Sequence, residues 1–147
     1  MCLSDRNRLK EMRKLLFTLS ALAALACSGD AVERQAAEAA CSYYNRMLEG
    51  YPDGMAAAQE GVGDQPDDYR RQLEAAFGIY ADDMVQKHGG LRAVSISPNV
   101  GRRDSLPTAH GAFEHIVYAF LLLSFNDSTQ EEIAVPMVQR DGEWFIK

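Results

Sequence analysis

The chain has 147 residues, of which 47% are hydrophobic and 24% charged, with a formal net charge of -6 and an isoelectric point near 5.0. This length and balance are typical of one globular domain and exclude a multidomain enzyme. The acidic balance argues against nucleic-acid binding, because affinity for a polyanion comes mostly from clustered Lys and Arg.

The first 26 residues have the pattern of an export signal. Met12-Arg13-Lys14 precedes a 12-residue uncharged run, Leu15–Ala26. A basic start, an apolar segment of this length and small residues at its end are typical of a secretory signal peptide. The run is too short to span a bilayer, which takes about 20 residues. The eleven residues before Met12 mix acidic and basic side chains, so we expect translation to begin at Met12.

Cys27 stands directly after the apolar run. The sequence Ala23-Ala24-Leu25-Ala26-Cys27 resembles the lipobox of bacterial lipoproteins, and this resemblance implies acyl chains on the thiol and the freed amine of Cys27. Several acyl chains anchor a protein far more firmly than one. Ala24-Leu25-Ala26 also fits ordinary signal cleavage, so release as a soluble periplasmic or secreted protein is the alternative to a membrane-anchored envelope protein.

Residues 27–147 form the predicted mature domain. These 121 residues carry 10 basic and 19 acidic side chains, or a net charge of -9, so an anionic membrane would repel the domain and the acyl chains would have to hold it there. Cys41 lies among alanines of a helical stretch and is expected to be a small buried residue.

Three helices are predicted first along this domain. Asp30–Glu49 begins with Asp30 and Glu33 in capping-box spacing, Pro52–Glu60 allows a short second helix, and Pro66–His88 has the strongest helical pattern. The third of these helices has an apolar stripe that is predicted to face the core, and the stripe comprises Tyr69, Leu73, Ala76, Phe77, Tyr80 and Met84.

Four antiparallel strands are predicted after Gly90. They are Leu91–Ser97, Ala112–Phe125, Glu131–Gln139 and Glu143–Lys147, with a polar loop at Asn99–His110 and tight turns at Asn126–Ser128 and Asp141-Gly142. The middle of the second strand, Ile116–Leu123, is apolar on both faces, which indicates helices on one face and a subunit, ligand or loop on the other. Pro136 interrupts the third strand, and we expect a β-bulge there. The fold class is α+β, with N-terminal helices packed on a four-stranded antiparallel sheet.

The order of elements, the closing sequence Arg140-Asp141-Gly142-Glu143-Trp144-Phe145-Ile146-Lys147 and the signal with Cys27 together resemble small bacterial lipoproteins of unknown function with a nuclear transport factor 2-like, or cystatin-like, domain. This resemblance covers the mature chain and implies a curved sheet that wraps the long helix and forms a conical cavity. Because such cavities serve enzymes, ligand binders and interaction surfaces alike, the fold does not choose a function. The resemblance carries no catalytic residue with it.

The candidate chemical groups are few. His110 and His115 are five residues apart and point to opposite faces if they share a strand, so we predict no zinc site and no other metal or cofactor. A buried acid and base in the cone would come from Asp82, Asp83, Glu114 or His115 beside Tyr80, although solvent exposure of the three carboxylates is the simpler interpretation. Arg102 and Arg103 are either anion ligands or part of a solvated loop, and the loop is favoured.

We therefore expect a non-enzymatic envelope lipoprotein that binds a small molecule or an envelope protein through the conical pocket or the sheet face. One alternative is a small isomerase-like or hydrolase-like enzyme that uses a buried acid and base in the cone. Another is a dimerisation or scaffold module whose sheets pack face to face. The residues predicted to line the pocket are Phe77, Tyr80, Phe113, His115, Phe120 and Trp144.

Overall fold

Three α-helices precede a four-stranded antiparallel sheet in the part of the chain that the structure describes. The structure is a computed structural model, and it describes residues 30–147. The predicted export signal, the start at Met12 and the acylation site Cys27 lie outside these residues. The helices are α1 (Asp30–Leu48), α2 (Pro52–Ala57) and α3 (Asp67–His88), with a 3₁₀ turn at Val62–Asp64 between α2 and α3.

The helices end close to their predicted limits. Gly89 stops α3 because it adopts a left-handed φ of 71°, and the backbone N–H groups of Gly89 and Gly90 return to the carbonyls of Val85 and Met84. The second helix is shorter than predicted. After Ala57 the chain turns along β4 instead, where Gln59 forms a parallel bridge with Ile146.

The strands are β1 (Leu91–Pro107), β2 (Phe113–Phe125), β3 (Gln130–Arg140) and β4 (Glu143–Ile146), paired in that order. This confirms the predicted antiparallel meander. The β3–β4 hairpin is a two-residue turn in which Asp141 and Gly142 both have positive φ, at 51° and 85°.

The prediction of a loop from Asn99 is wrong, because β1 continues to Pro107. Ile96 pairs with Leu121 and Gly101 pairs with Ala119, so four residues of β1 face one of β2. The extra residues form a β-bulge at positions 97–100, called the bulge below. The turn-forming residues of this stretch favour a loop when the sequence is considered alone. In the structure they form an irregularity within a paired strand.

The predicted bulge at Pro136 is also wrong. Pairing of β2 with β3 is continuous across Pro136, which lies opposite Tyr118. The carbonyl of Pro136 accepts a hydrogen bond from the N–H of Lys147, just beyond the last residue of β4. In an antiparallel strand the N–H and C=O of one residue face the same neighbour. The missing N–H of Pro136 therefore faces the end of β4, where it interrupts little pairing.

The helices lie on one face of the sheet, called the helix face below. Side chains of β2 alternate between the two faces, and the odd-numbered ones from Val117 to Phe125 are at most 5% exposed. Arg103, which pairs with Val117, forms a 2.6 Å ion pair with Glu33 of α1. The predicted α+β architecture with helices on one face is confirmed. The opposite face, which carries the even-numbered β2 side chains, is called the outer face.

α1 contacts both edges of the sheet. Cys41 donates to the backbone carbonyl of Val94 on β1 at 3.7 Å, and Tyr43 donates to that of Trp144 on β4 at 2.6 Å. β1 and β4 are the two edges of the sheet. α1 therefore lies over the sheet between its two edges.

The apolar stripe of α3 is only partly buried, which corrects the prediction that it faces the core. Met84 is 5% exposed, but Tyr69 and Tyr80 are 46% and 38% exposed. In α1, by contrast, Ala36, Ala37 and Ala40 have 0% exposure. α1 therefore contributes more buried side chains to the core than the longer α3 does.

Candidate binding surface

The helix face of the sheet carries fully buried side chains of α1 and β2. They are three alanines of α1 and three residues of β2, namely Ala36, Ala37, Ala40, Ala119, Leu121 and Leu123. Close-packed interiors of this kind hold few voids larger than a water molecule. This part of the helix face is core, and the two clefts described below lie beside α1.

The outer face carries a half-buried apolar strip. It consists of Tyr118, Phe120 and Leu122 on β2, Pro136 on β3 and Phe145 on β4, and these five residues are called the outer strip below. Within the described residues, the contacts of α1 and α3 with sheet side chains are to the helix face. Neither α1 nor α3 is therefore packed on the outer strip.

Four charged side chains form a network at one end of the outer face, called the ion-pair cluster below. Arg140 bonds to both Glu60 and Glu114, and Lys147 bonds to the same two carboxylates, to Glu60 at 3.3 Å. Hydrogen bonds from Lys147 and then Arg140 lower the pKa of Glu114. Glu114 is therefore held in its charged form and is unsuited to act as the general acid considered from the sequence.

Two apolar side chains of the outer face are fully buried: Ile116 and Val138 are 1% and 0% exposed. Glu114 and Arg140, two residues away along the same strands, form part of the ion-pair cluster. The cluster therefore borders the most deeply buried part of the outer face.

The bulge is fastened across the outer face at the other end of the outer strip. The hydroxyl of Ser97 donates to the carboxylate of Glu132 on β3 and accepts from the N–H of Asn99 at 3.3 Å. Ser97 is 1% exposed, so its buried hydroxyl has a partner both as a hydrogen-bond donor and as an acceptor. Phe120, which lies in β2 between the bulge and β3, is partly covered by this contact.

Two surface clefts lie beside α1. The larger, of about 510 Å³, separates α1 from β1 and is lined by Glu38, Cys41, Ser42, Asn45, Arg46, Glu49 and Ile96. The smaller, of about 270 Å³, is lined by Met47, Leu48, Ala81, Met84, Val85, Gly89, Gly90, Leu91 and Asn126. None of the six residues predicted to line a pocket belongs to either set.

Cys41 is half-buried in the larger cleft rather than fully buried as predicted. Burial raises the pKa of its thiol, against a smaller opposing effect of the hydrogen bond from Asn45. The thiol therefore remains protonated at neutral pH, and a protonated thiol is a poor nucleophile.

The six residues predicted to line the pocket do not all lie on one side of the sheet. Phe113 and Tyr80 are 69% and 38% exposed, and Phe77 is half-buried on α3. His115 and Trp144 project from the helix face. Phe120 lies on the opposite face, within the outer strip. The sequence pattern predicts the helix or strand to which each of these residues belongs. It does not predict which face of the sheet a strand residue occupies relative to the helices, because that depends on strand register.

The predicted acid and base groups are not assembled in a cavity. Asp82 is exposed, and Asp83 forms a 2.8 Å ion pair with Lys87. Burial raises the pKa of Tyr80, and burial with the neighbouring Tyr80 raises the pKa of Tyr44 to about 12. Both phenols stay neutral, so this pair supplies no charged base.

The two neighbouring arginines have protein partners. Arg103 is bonded to Glu33. The guanidinium of Arg102 lies 5.1 Å from the centre of the Tyr118 ring and 3.8 Å from the carboxylate of Asp104. A cation over an aromatic face is attracted by the ring, so Arg102 flanks the outer strip.

Ser105 and His115 form a pair that sequence reasoning could not place. They are directly opposite each other on β1 and β2, and Ser105 Oγ lies 3.0 Å from His115 Nδ1. Since Ser105 falls in the region predicted as a loop, no register was available to pair it. Both side chains are exposed, and within residues 30–147 no carboxylate is hydrogen-bonded to His115.

A second histidine joins α3 to the β2–β3 turn. His88 Nδ1 lies 2.8 Å from the carboxylate of Asp127, and its ring stacks on Phe125 with centroids 4.4 Å apart. Hydrogen bonds from the side chain and backbone of Thr129, then from His88, lower the pKa of Asp127 to about 2. This contact closes the end of the helix layer against the sheet.

Across residues 30–147, no three His, Cys, Asp or Glu side chains are grouped closely enough to hold a metal ion. No helix in the same part of the chain is long and apolar enough to cross a membrane.

No family model and no curated protein matches the chain. A solved structure that resembles it is a Campylobacter jejuni protein described as an NTF2-like transpeptidase, with 15% sequence identity and a TM-score of 0.44 over 73% of this chain and 92% of that chain. This likeness assigns neither a family nor an activity. The fold class stands on the strand order and helix contacts given above.

Proposed function

We propose that this chain is an exported, non-enzymatic domain, anchored in the cell envelope through acylated Cys27, that binds a protein partner through the outer strip. The observation that carries the binding role is the outer strip itself: five apolar side chains, three of them aromatic, share the face of the sheet opposite α1 and α3. Apolar patches rimmed by polar groups mark interaction sites. The ion-pair cluster and Arg102 supply such a rim.

The position of the clefts favours a protein over a small molecule as the ligand of the outer strip. Small ligands are held in concave sites that enclose most of their surface, and none of the five outer-strip residues lines either cleft. A strip of aromatic and apolar groups on a sheet face suits the central region of a protein interface instead.

The anchor is tested by the mass of the mature N-terminus. The full chain is expressed in a bacterium with a lipoprotein pathway, and we expect its N-terminal peptide to begin at Cys27 with three acyl chains. The Cys27→Ser variant should lose the acyl mass and leave the membrane fraction. A wild-type peptide that begins at Cys27 without acyl chains, or at another residue, would contradict the anchor.

The binding surface is tested by photo-crosslinking in intact cells. A benzophenone amino acid replaces Phe120 in the outer strip, and the matched control replaces Ile79, which is 70% exposed on α3. We expect a discrete adduct from position 120 and much less from position 79. An adduct of twice the chain mass would make the partner a second copy, as in the face-to-face dimer considered from the sequence. Equal or absent crosslinking at both positions would overturn the proposal.

The Ser105–His115 pair supports a second candidate, a hydrolase-like enzyme. A serine 3.0 Å from an imidazole nitrogen has the contact needed for proton removal from a nucleophile. An enzyme of this kind would be labelled at Ser105 by a fluorophosphonate probe, and the His115→Ala variant would not be labelled. Both side chains are exposed, so water is not excluded from the pair. We therefore expect no labelling of the wild type, and labelling would favour the enzyme.

A further inference from the structure

We propose that the tip of the β1–β2 hairpin, residues 105–113, contacts the lipid bilayer surface and inserts Leu106 and Phe113 into it. This inference rests on the proposed acyl anchor at Cys27. It adds a second membrane contact and an orientation of the domain, neither of which follows from acylation alone. The residues 105–113 are called the hairpin tip below.

The hairpin tip and Glu33 of α1 lie at the same end of the sheet. Cys41 contacts Val94 and Glu33 contacts Arg103, so α1 runs antiparallel to β1. Moving from Cys41 back towards Glu33 is therefore the same direction as moving from Val94 towards the hairpin tip. Cys27 precedes Glu33 in the sequence by six residues.

The chain lengths match. Thr108 is five residues beyond Arg103, so the hairpin tip extends about 16 Å beyond the ion pair of Arg103 with Glu33. Glu33 is six residues after Cys27, and six residues span at most about 21 Å. An anchor of this length brings the hairpin tip to the bilayer surface.

The hairpin tip has the chemistry of a membrane contact. Residues 105–113 contain no Asp, Glu, Lys or Arg, within a domain of net charge -9. Phe113 is 69% and Leu106 is 37% exposed, and they lie on opposite faces of the hairpin. An end-on approach therefore brings both side chains to the lipid.

The backbone of the hairpin tip is also prepared for a less polar surrounding. The N–H and hydroxyl of Thr108 both donate to the carbonyl of Ala112, at 2.8 and 3.1 Å, and the N–H of Gly111 donates to Thr108. Polar backbone groups that enter lipid must be paired within the protein. These bonds lower the cost of placing the turn among the lipid headgroups.

Tryptophan fluorescence tests the contact on the full acylated protein. Trp144 is the only tryptophan of the chain, so a Trp144→Phe background allows one reporter at a time. Phe113→Trp reports on the hairpin tip and Ile79→Trp, at a site of similar exposure on α3, is the matched control. Both proteins are reconstituted into phosphatidylcholine vesicles whose acyl chains carry bromine near the headgroups, with unbrominated vesicles for comparison.

We expect the Phe113→Trp reporter to shift to shorter wavelength and to lose intensity on the brominated lipid, whereas the Ile79→Trp reporter does neither. If the protein is acylated and bound to vesicles but the two reporters behave alike, the hairpin-tip proposal is overturned and the anchor stands. If mass spectrometry shows no acyl chain on Cys27, the tether is lost and both proposals are overturned.

Discussion

The hydroxyl of Tyr43 on α1 donates a 2.6 Å hydrogen bond to the backbone carbonyl of Trp144, which lies 101 residues later on β4. β4 has only four residues and one strand partner, β3. The contact therefore joins the first described helix directly to the last strand and fastens that edge of the sheet to α1.

The Tyr43→Phe variant tests this connection. Removing the hydroxyl leaves a partly buried carbonyl without this donor, and we expect the free energy of unfolding to fall by about 1 to 2 kcal/mol. Urea denaturation followed by circular dichroism measures the change. Tyr69→Phe is the control, because Tyr69 is 46% exposed on α3. If both variants unfold at the wild-type urea concentration, the hydroxyl of Tyr43 does not stabilise the fold.

Gly101 follows the bulge at a point where two backbones approach closely. A Cβ at this position would lie 2.7 Å from the backbone carbonyl oxygen of Tyr118, and backbone moves less readily than a side chain. We expect Gly101→Ala to lower the free energy of unfolding by about 1 to 3 kcal/mol. Gly63→Ala is the control, since a Cβ there would meet nothing within 4 Å. An equal effect of the two variants would contradict the close approach.

The low pKa of Asp127 makes part of the stability depend on pH. Its pKa is about 2 in the folded state against an ordinary value of 3.8, so the unfolded state binds the proton more readily. The stabilising contribution is complete above about pH 4 to 5 and is lost as pH falls towards 2. We expect wild type to exceed Asp127→Asn in stability at pH 6, and the difference to shrink on acidification. A difference that does not change between pH 6 and pH 2 would exclude this assignment.

The ion-pair cluster should stabilise the outer face through Glu114. Glu114→Gln removes the charge that Arg140 and Lys147 share, and we expect a lower urea midpoint than for the wild type. The difference should decrease with added salt, which screens charges near the surface. Glu143→Gln, an exposed glutamate on the same face, is the control. Equal shifts from both substitutions would show that general surface charge, and not the ion-pair cluster, is responsible.

Local patterns were sufficient to predict the element order and most boundaries. Helical spacing with Gly89-Gly90 placed the end of α3, and Asp141-Gly142 placed the last hairpin. The apolar run Ile116–Leu123 correctly indicated a strand with two apolar faces. These features depend on residues that are near one another in sequence, which is why the sequence alone identifies them.

The bulge and the candidate surfaces depend on contacts between distant residues. Pro98 and Asn99 have the composition of a loop, and the pairing of the neighbouring residues Ile96 and Gly101 with β2 keeps them within a strand. The Ser105–His115 pair depends on a register that follows the bulge. The Pro136 prediction was wrong because β4 ends at Ile146, so the position without an N–H faces the end of that strand.

The bulge has a further consequence for the solubility of the folded chain. β1 is an edge strand of 17 residues, and a long, regular edge offers unpaired backbone groups to strands of other molecules. Val100, with a φ of 58°, and the extra residues beside it interrupt that edge between Ile96 and Gly101. Two short stretches remain in place of one continuous template, so the irregularity that binds β1 to Glu132 also protects the chain against edge-to-edge aggregation.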